Sequence, residues 1–188
     1  YFTEGGFHTL VVKAEGFAPL FSTEIETNGE PVFDWVLTSE TEHLINGAFE
    51  TGILSGWEAT GPGVHLDATA LHSGQYGVKF SQSITATSQI TQAVLIPADE
   101  LAPTLSFLYR LPQDLEQGNF EVFVQGATML PVLSTTTSTD EWRHAWADLS
   151  GFSGETITLV FRLTGIGSVN VDDISISIFS VYKVGRSR

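Results

Sequence analysis

The sequence predicts an all-β protein, on three observations. Short runs with period-two alternation or dense β-branched residues recur along the chain, among them "HTLVVKA", "YGVKFSQ", "TLSFLYRL" and "TITLVFRL"; this is the pattern of strands with one face in a core. Clusters of Gly, Pro, Asn and Ser separate these runs, as in "NGEP", "TGPG", "HSGQ" and "SGFSGE", and such clusters punctuate chains into turns. No segment carries an apolar stripe at helical spacing, and "PADELAP" offers one helical turn at most. Many short strands with regular turns favour a β-sandwich or jelly roll over any α/β plan.

The strands fall into two groups. "HTLVVKA", "FSTEIET" and "PVFDWVL" precede the polar, acidic stretch "TSETEH", and about nine runs follow it. The expected domains are therefore residues 1–40, a small partial β domain, and residues 41–188, a jelly roll with strands from about Leu44 to Tyr182. Three strands cannot close a sandwich, and a small isolated sheet is marginal in water. Val12, Phe33 and Trp35 therefore need cover from the jelly roll, from residues outside this sequence or from a neighbouring chain. Tyr at position 1, with no signal-peptide pattern after it, leads us to expect a processed chain or part of a longer protein.

Composition narrows the function. The 188 residues are 42% hydrophobic and 16% charged, with 22 acidic against 8 basic side chains and a net charge of -14. Such a chain can build a core, but it repels polyanions and shows no basic cluster that would bind nucleic acid. It has no Cys, which excludes disulfides, thiolate-zinc sites and thiol catalysis. No run of about 18 apolar residues is present, so no membrane span is expected. Catalytic signatures are missing too: "GFSGE" lacks the spacing of a nucleophile elbow, and no H-E-x-x-H occurs. His65 and Asp67 in "VHLDA" share a strand face, but an isolated pair of this kind reads as surface decoration. The chain is expected not to be an enzyme.

Two resemblances add to this reading. Residues 7–37 resemble the last strands of carboxypeptidase-regulatory-like (transthyretin-like) sandwiches, with Phe7, Leu10, Val12, Gly16 and Phe17 at matching positions. Residues 44–180 resemble the carbohydrate-binding-module jelly rolls that accompany xylanases and cellulases. "LINGAFETGILSGW", "ALHSGQYGVKF", "SQITQAVLIPA", "TLSFLYRL", "DEWRHAWADLSGFSGETITLVFRL" and "VNVDDISI" follow that family's order. The resemblance implies a noncatalytic glycan-binding module, extracellular or on a cell surface, whose partner is a polysaccharide or cell-surface glycan. The incomplete first group of strands keeps a second reading open, a structural subunit of a surface filament, stalk or adhesin that assembles with neighbouring β domains or identical subunits.

The resemblance also implies a structural Ca²⁺ joining the first strand to the last. Glu50 and Asp172 or Asp173 stand at the ligand positions, with the Ala48 carbonyl and the "HSGQ" turn as further oxygen donors. By themselves these acids read as strand-end residues in water. Adjacent Asp residues inside an apolar strand change the balance, because alternation sends one of them inward, where it needs a partner; Asp172 is the favoured ligand. For the glycan, "WRHAWADL" places His144, Trp146 and Asp148 on one face and Ala145, Ala147 and Leu149 on the other. Trp146 and His144, together with Arg110, Phe123 and Gln125 from "SFLYRL" and "FEVFVQ", are the expected groove residues. Trp57 and Trp142 stand at positions that are core in the resembling family, so both are expected in the core.

Overall fold

Alternation along this chain builds a sandwich whose two sheets share their two longest strands. A computed structural model describes residues 7–14, 17–26, 43–98 and 103–177, with backbone alone for 7–14, 17–26 and 177. The first described strands, β1 (Phe7–Ala14) and β2 (Phe17–Glu26), form an antiparallel pair outside the main sheet network, and β2 passes close to β6 and β10. Phe33 and Trp35 lie outside the described residues.

The remaining strands are β3 (Glu58–Thr60), β4 (Val64–Asp67), β5 (Gly77–Leu95), β6 (Thr104–Arg110), β7 (Phe120–Gln125), β8 (Met129–Thr135), β9 (Arg143–Asp148) and β10 (Thr156–Ser177). A single 3-10 turn, Ser150–Phe152, is the only helical element among the described residues. Every strand pairing is antiparallel.

Strands β5 and β10 run side by side for nearly their whole lengths and belong to both sheets. Residues 87–95 of β5 and 156–164 of β10 join β3, β7 and β8 in the first sheet. Residues 77–82 and 167–177 join β4, β6 and β9 in the second. The crossing point is a register shift between Gly165 and Gly167, both with φ in the left-handed region, +87° and +142°. Only Gly takes such values without steric cost. The sequence pattern splits each long strand in two, "YGVKFSQ" with "SQITQAVLI" and "TITLVFRL" with "VNVDDISISIF"; the structure joins the halves across this bend.

The odd-numbered residues of β10 from Ile157 to Val171 are buried. One of them, Phe161, meets Phe107 of the facing sheet edge to face at 5.0 Å between ring centroids, and Phe80 of β5 packs tilted against Phe120 of β7 at 5.9 Å. Trp57 belongs to this core, 6.0 Å from Phe161. Trp142 does not. It is half-buried ahead of β9 with its ring edge-on to His72 at 5.6 Å, and the alternation of β9 sends its parity, that of His144 and Trp146, to the outer face.

Candidate functional site

Two constellations bring chemistry-bearing residues together. The first grows from the turn before β3. Asn46 and Phe49 both take positive φ, +56° and +60°. This tight path swings the Phe49 ring into the core at 0% exposure and leaves Glu50 pointing outward. The turn is pinned on two sides. The amide of Gln92 on β5 brackets Ile45, accepting from its N–H at 2.8 Å and donating to its carbonyl at 2.9 Å. The Ile174 N–H of β10 donates to the Gly47 carbonyl at 3.0 Å.

Three carboxylates then converge on the loop His72–Tyr76. Glu50 accepts from the N–H groups of Gln75 (2.9 Å) and Tyr76 (3.1 Å). Asp172, wholly buried, accepts from the N–H groups of His72 (2.7 Å), Ser73 (3.1 Å) and Asp173 (2.7 Å). Asp173 receives the Ser73 hydroxyl at 2.8 Å and lies 2.7 Å from His72 Nδ1. Strict alternation would have sent the two Asp side chains to opposite faces. Instead, a bulge between Asp172 and Ser175, with Asp173 at φ +50°, turns both onto the same loop. Burial pushes the Asp172 carboxyl up to about 6, while the three N–H donors oppose that rise.

Three hard-oxygen carboxylates on one loop suit calcium chemically. Their geometry first serves the loop, since each accepts hydrogen bonds from it. Among the described residues no three Asp, Glu or His side chains are grouped closely enough to hold an ion by themselves, so a cation here would draw on backbone carbonyls as well. Ala48 lies exposed in the same turn as Glu50.

The second constellation is a cavity of about 510 Å³ on the outer face of the second sheet, at the bend of β5 and β10. Register puts Lys79 opposite Asn170, Ser81 opposite Ser168, and Arg110 opposite Asn170 on its other side, so these five side chains share one face. Thr69, Pro112 and Gln113 form the rim from adjoining loops. Gln82 and Asn170 are 6% and 7% exposed. The Gln82 Oε1, Asn170 Oδ1 and Ser168 Oγ atoms are buried without a protein hydrogen-bond partner. Gln82 Nε2 donates to the Leu163 carbonyl at 3.2 Å, which fixes the orientation of that amide and leaves its oxygen as the unpartnered end. Native proteins rarely leave such atoms unpaired without a role for them.

The five expected groove residues divide between the two sheets. Arg110, His144 and Trp146 share the outer face of the second sheet, since His144 pairs with Leu108 and Trp146 with Ser106. Only Arg110 lines the cavity. His144 Nε2 lies 2.7 Å from the Ser106 hydroxyl, and Trp146 is half-buried. Phe123 and Gln125 do not join them. Strand β7 pairs with the first half of β10, which places both residues on the other sheet. There the Phe123 ring lies 4.8 Å from the Arg162 guanidinium carbon, and Arg162 bonds Glu121 at 2.6 Å. The expectation missed Gln82, Ser168 and Asn170. Their signal is polar residues beside buried apolar ones, in "KFSQ" and "SVNV", and it becomes a site only once the strands are paired. His65 Nε2 is 3.7 Å from Asp67, whose carboxylate is already bonded to Thr69 and Lys79.

Solved structures share this architecture. A family 61 carbohydrate-binding module in complex with β-1,4-galactotriose superposes with a TM-score of 0.61 at 19% identity, over 73% of this chain and 98% of that one. The fold is the jelly roll of carbohydrate-binding modules. The family 22 xylan-binding domain of Paenibacillus barcinonensis Xyn10C matches with a TM-score of 0.54 at 14% identity, over 82% and 100% of the two chains. The jelly roll also covers 21% of the enzymatically active domain of bacteriophage CBA120 tailspike protein 4, at 10% identity and a TM-score of 0.54. No protein-family model matches the sequence, and no curated protein does.

Proposed function

We propose that the chain is a noncatalytic, extracellular or cell-surface glycan-binding module whose ligand enters the cavity between Lys79, Arg110 and Asn170. The observation that carries this reading is a recess lined by Lys79, Arg110, Gln82, Ser168 and Asn170, the last three each holding a buried oxygen with no protein hydrogen-bond partner. Sugar hydroxyls donate to such atoms, and a shaped recess with a few fixed polar groups is how proteins hold small polar ligands. The fold shared with modules named for galactotriose and xylan adds support. Titration calorimetry against β-1,4-galactotriose, xylohexaose and soluble plant polysaccharides is the test. Binding by at least one is expected, and Asn170→Ala should weaken it about tenfold, the loss of one well-placed hydrogen bond. Unchanged affinity in that variant removes the cavity from the reading.

Calcium belongs to the same proposal. Ca²⁺ held by Glu50 and Asp172, with Asp173 and backbone oxygens such as that of Ala48, would neutralise carboxylates that now rely on amide donors. An ion that binds only the folded state stabilises it by about 2.7 kcal/mol at a hundredfold excess over Kd. Chelation is therefore expected to lower the melting temperature, and Glu50→Ala to melt at one temperature with or without chelator. Superposable melts of the unaltered protein in EDTA and in excess calcium rule the ion out.

A further inference from the structure

We propose that the cavity selects sugars that carry a carboxylate, so that its ligand is an oligosaccharide bearing a uronic acid. The inference rests on the glycan-binding reading above and narrows it by charge.

Acidic residues outnumber basic ones by 22 to 8 in the chain, yet among the described residues the cavity is lined by Lys79 and Arg110 and by no Asp or Glu. The two cations differ in availability. The Lys79 ammonium lies 3.2 Å from Asp67. Hydrogen bonds from the Thr69 hydroxyl and N–H, ahead of the Lys79 contribution, hold the Asp67 carboxyl down at about 2, so that partner stays ionised. Arg110 stands at the exposed end of β6 with no carboxylate partner among the described residues. A guanidinium donates only, in a planar fork that matches a carboxylate with two parallel bonds.

The cavity wall makes the complementary demand. The unpartnered Gln82 Oε1 and Asn170 Oδ1 are amide oxygens, which accept only, so a ligand group that reaches them must have hydrogen to give. A bare anion such as phosphate satisfies Arg110 and leaves the amides unmet. A neutral sugar satisfies the amides and leaves the guanidinium without a counter-charge. A hydroxyl-rich ring bearing a carboxylate meets both. Among the described residues no aromatic ring lines the cavity, so polar complementarity rather than stacking on a pyranose face decides the ligand. The net charge of -14 sets the density of acid. It repels a continuous polyuronate, while over a screening length of about 8 Å at physiological salt a single carboxylate feels mainly the local cations. The fitting ligand is a largely neutral chain with occasional uronic acid residues.

The experiment is a glycan array of uronate-bearing oligosaccharides, each printed in its native form and after reduction of the carboxylate to the primary alcohol, alongside the neutral chains galactotriose and xylohexaose. Native members are expected to bind at least tenfold more tightly than their reduced twins. Arg110→Gln and Lys79→Met should erase that preference while melting like the unaltered protein, since Arg110 is exposed and neither residue lies in the core. Equal binding of native and reduced members overturns the inference and leaves the glycan reading standing. Silence across every sugar overturns both. A preference that survives in both variants overturns the assignment to this cavity.

Discussion

Phe161→Ala is expected to cost about 3–5 kcal/mol, the usual range for emptying a buried aromatic position. The ring is fully buried and stands between two others, Phe107 at 5.0 Å from the second sheet and Trp57 at 6.0 Å from the segment leading into β3. Removing it takes away transfer free energy and the edge-to-face contacts together. It also leaves a void that residues on the long β5 and β10 pairing cannot collapse into without moving both sheets. For a chain of this size the melting temperature should fall by roughly ten degrees. Phe123→Ala is the control. That ring is half-exposed under Arg162, and its loss removes a contact worth about 0.5–1 kcal/mol. Urea unfolding of both variants checks the contrast, and equal costs would show that ring packing between the sheets is not what holds the sandwich together.

Asp172→Ala is expected to cost about 3 kcal/mol by a different route. The substitution leaves the N–H groups of His72, Ser73 and Asp173 without their acceptor, and orphaned buried donors cost about 1–3 kcal/mol each without adding fully. The loss should be local. Hydrogen exchange at residues 72–76 should accelerate, while exchange along β5 and β10 changes only in step with global stability. Asp172→Asn keeps one acceptor oxygen and should fall between the two. If Asp172→Ala left exchange in the loop unchanged, the carboxylate would not be what holds it.

The fold was legible because strands with one face in a core declare themselves by alternation, and turn residues mark their ends. Strand β8, "MLPVLST", stayed hidden: it contains Pro131, has no fully buried residue, and pairs with β7 alone. Pro is tolerated on such an edge, where a missing N–H breaks no second ladder. The two halves of β5 and of β10 read as separate strands because the chain crosses between sheets through polar and Gly residues, where alternation carries no message about continuity. The candidate site was legible only in part for the same reason. Alternation tells which residues of one strand share a face. It does not tell which sheet that strand joins, so Phe123 and Gln125 were grouped with Arg110 although they stand on the other sheet. The convergence of Glu50, Asp172 and Asp173 on one loop was readable as to residues. The bulge that brings both Asp side chains to the same loop was not, since nothing in "VNVDDISI" marks it.

The shared pairing of β5 with β10 also sets a timetable for folding. Four strands and a turn separate the two in the chain, and β10 pairs with β5, β6 and β7 alike. While the protein is being synthesised, β5 emerges early with its apolar positions uncovered and must wait for residues 156–177 before either sheet has its centre. Contacts this distant in sequence make for slow folding and leave a strand edge open to other chains in the meantime. A nascent chain stalled before Thr156 would therefore hold neither half of the sandwich, and the last long strand acts as the step that commits the whole domain.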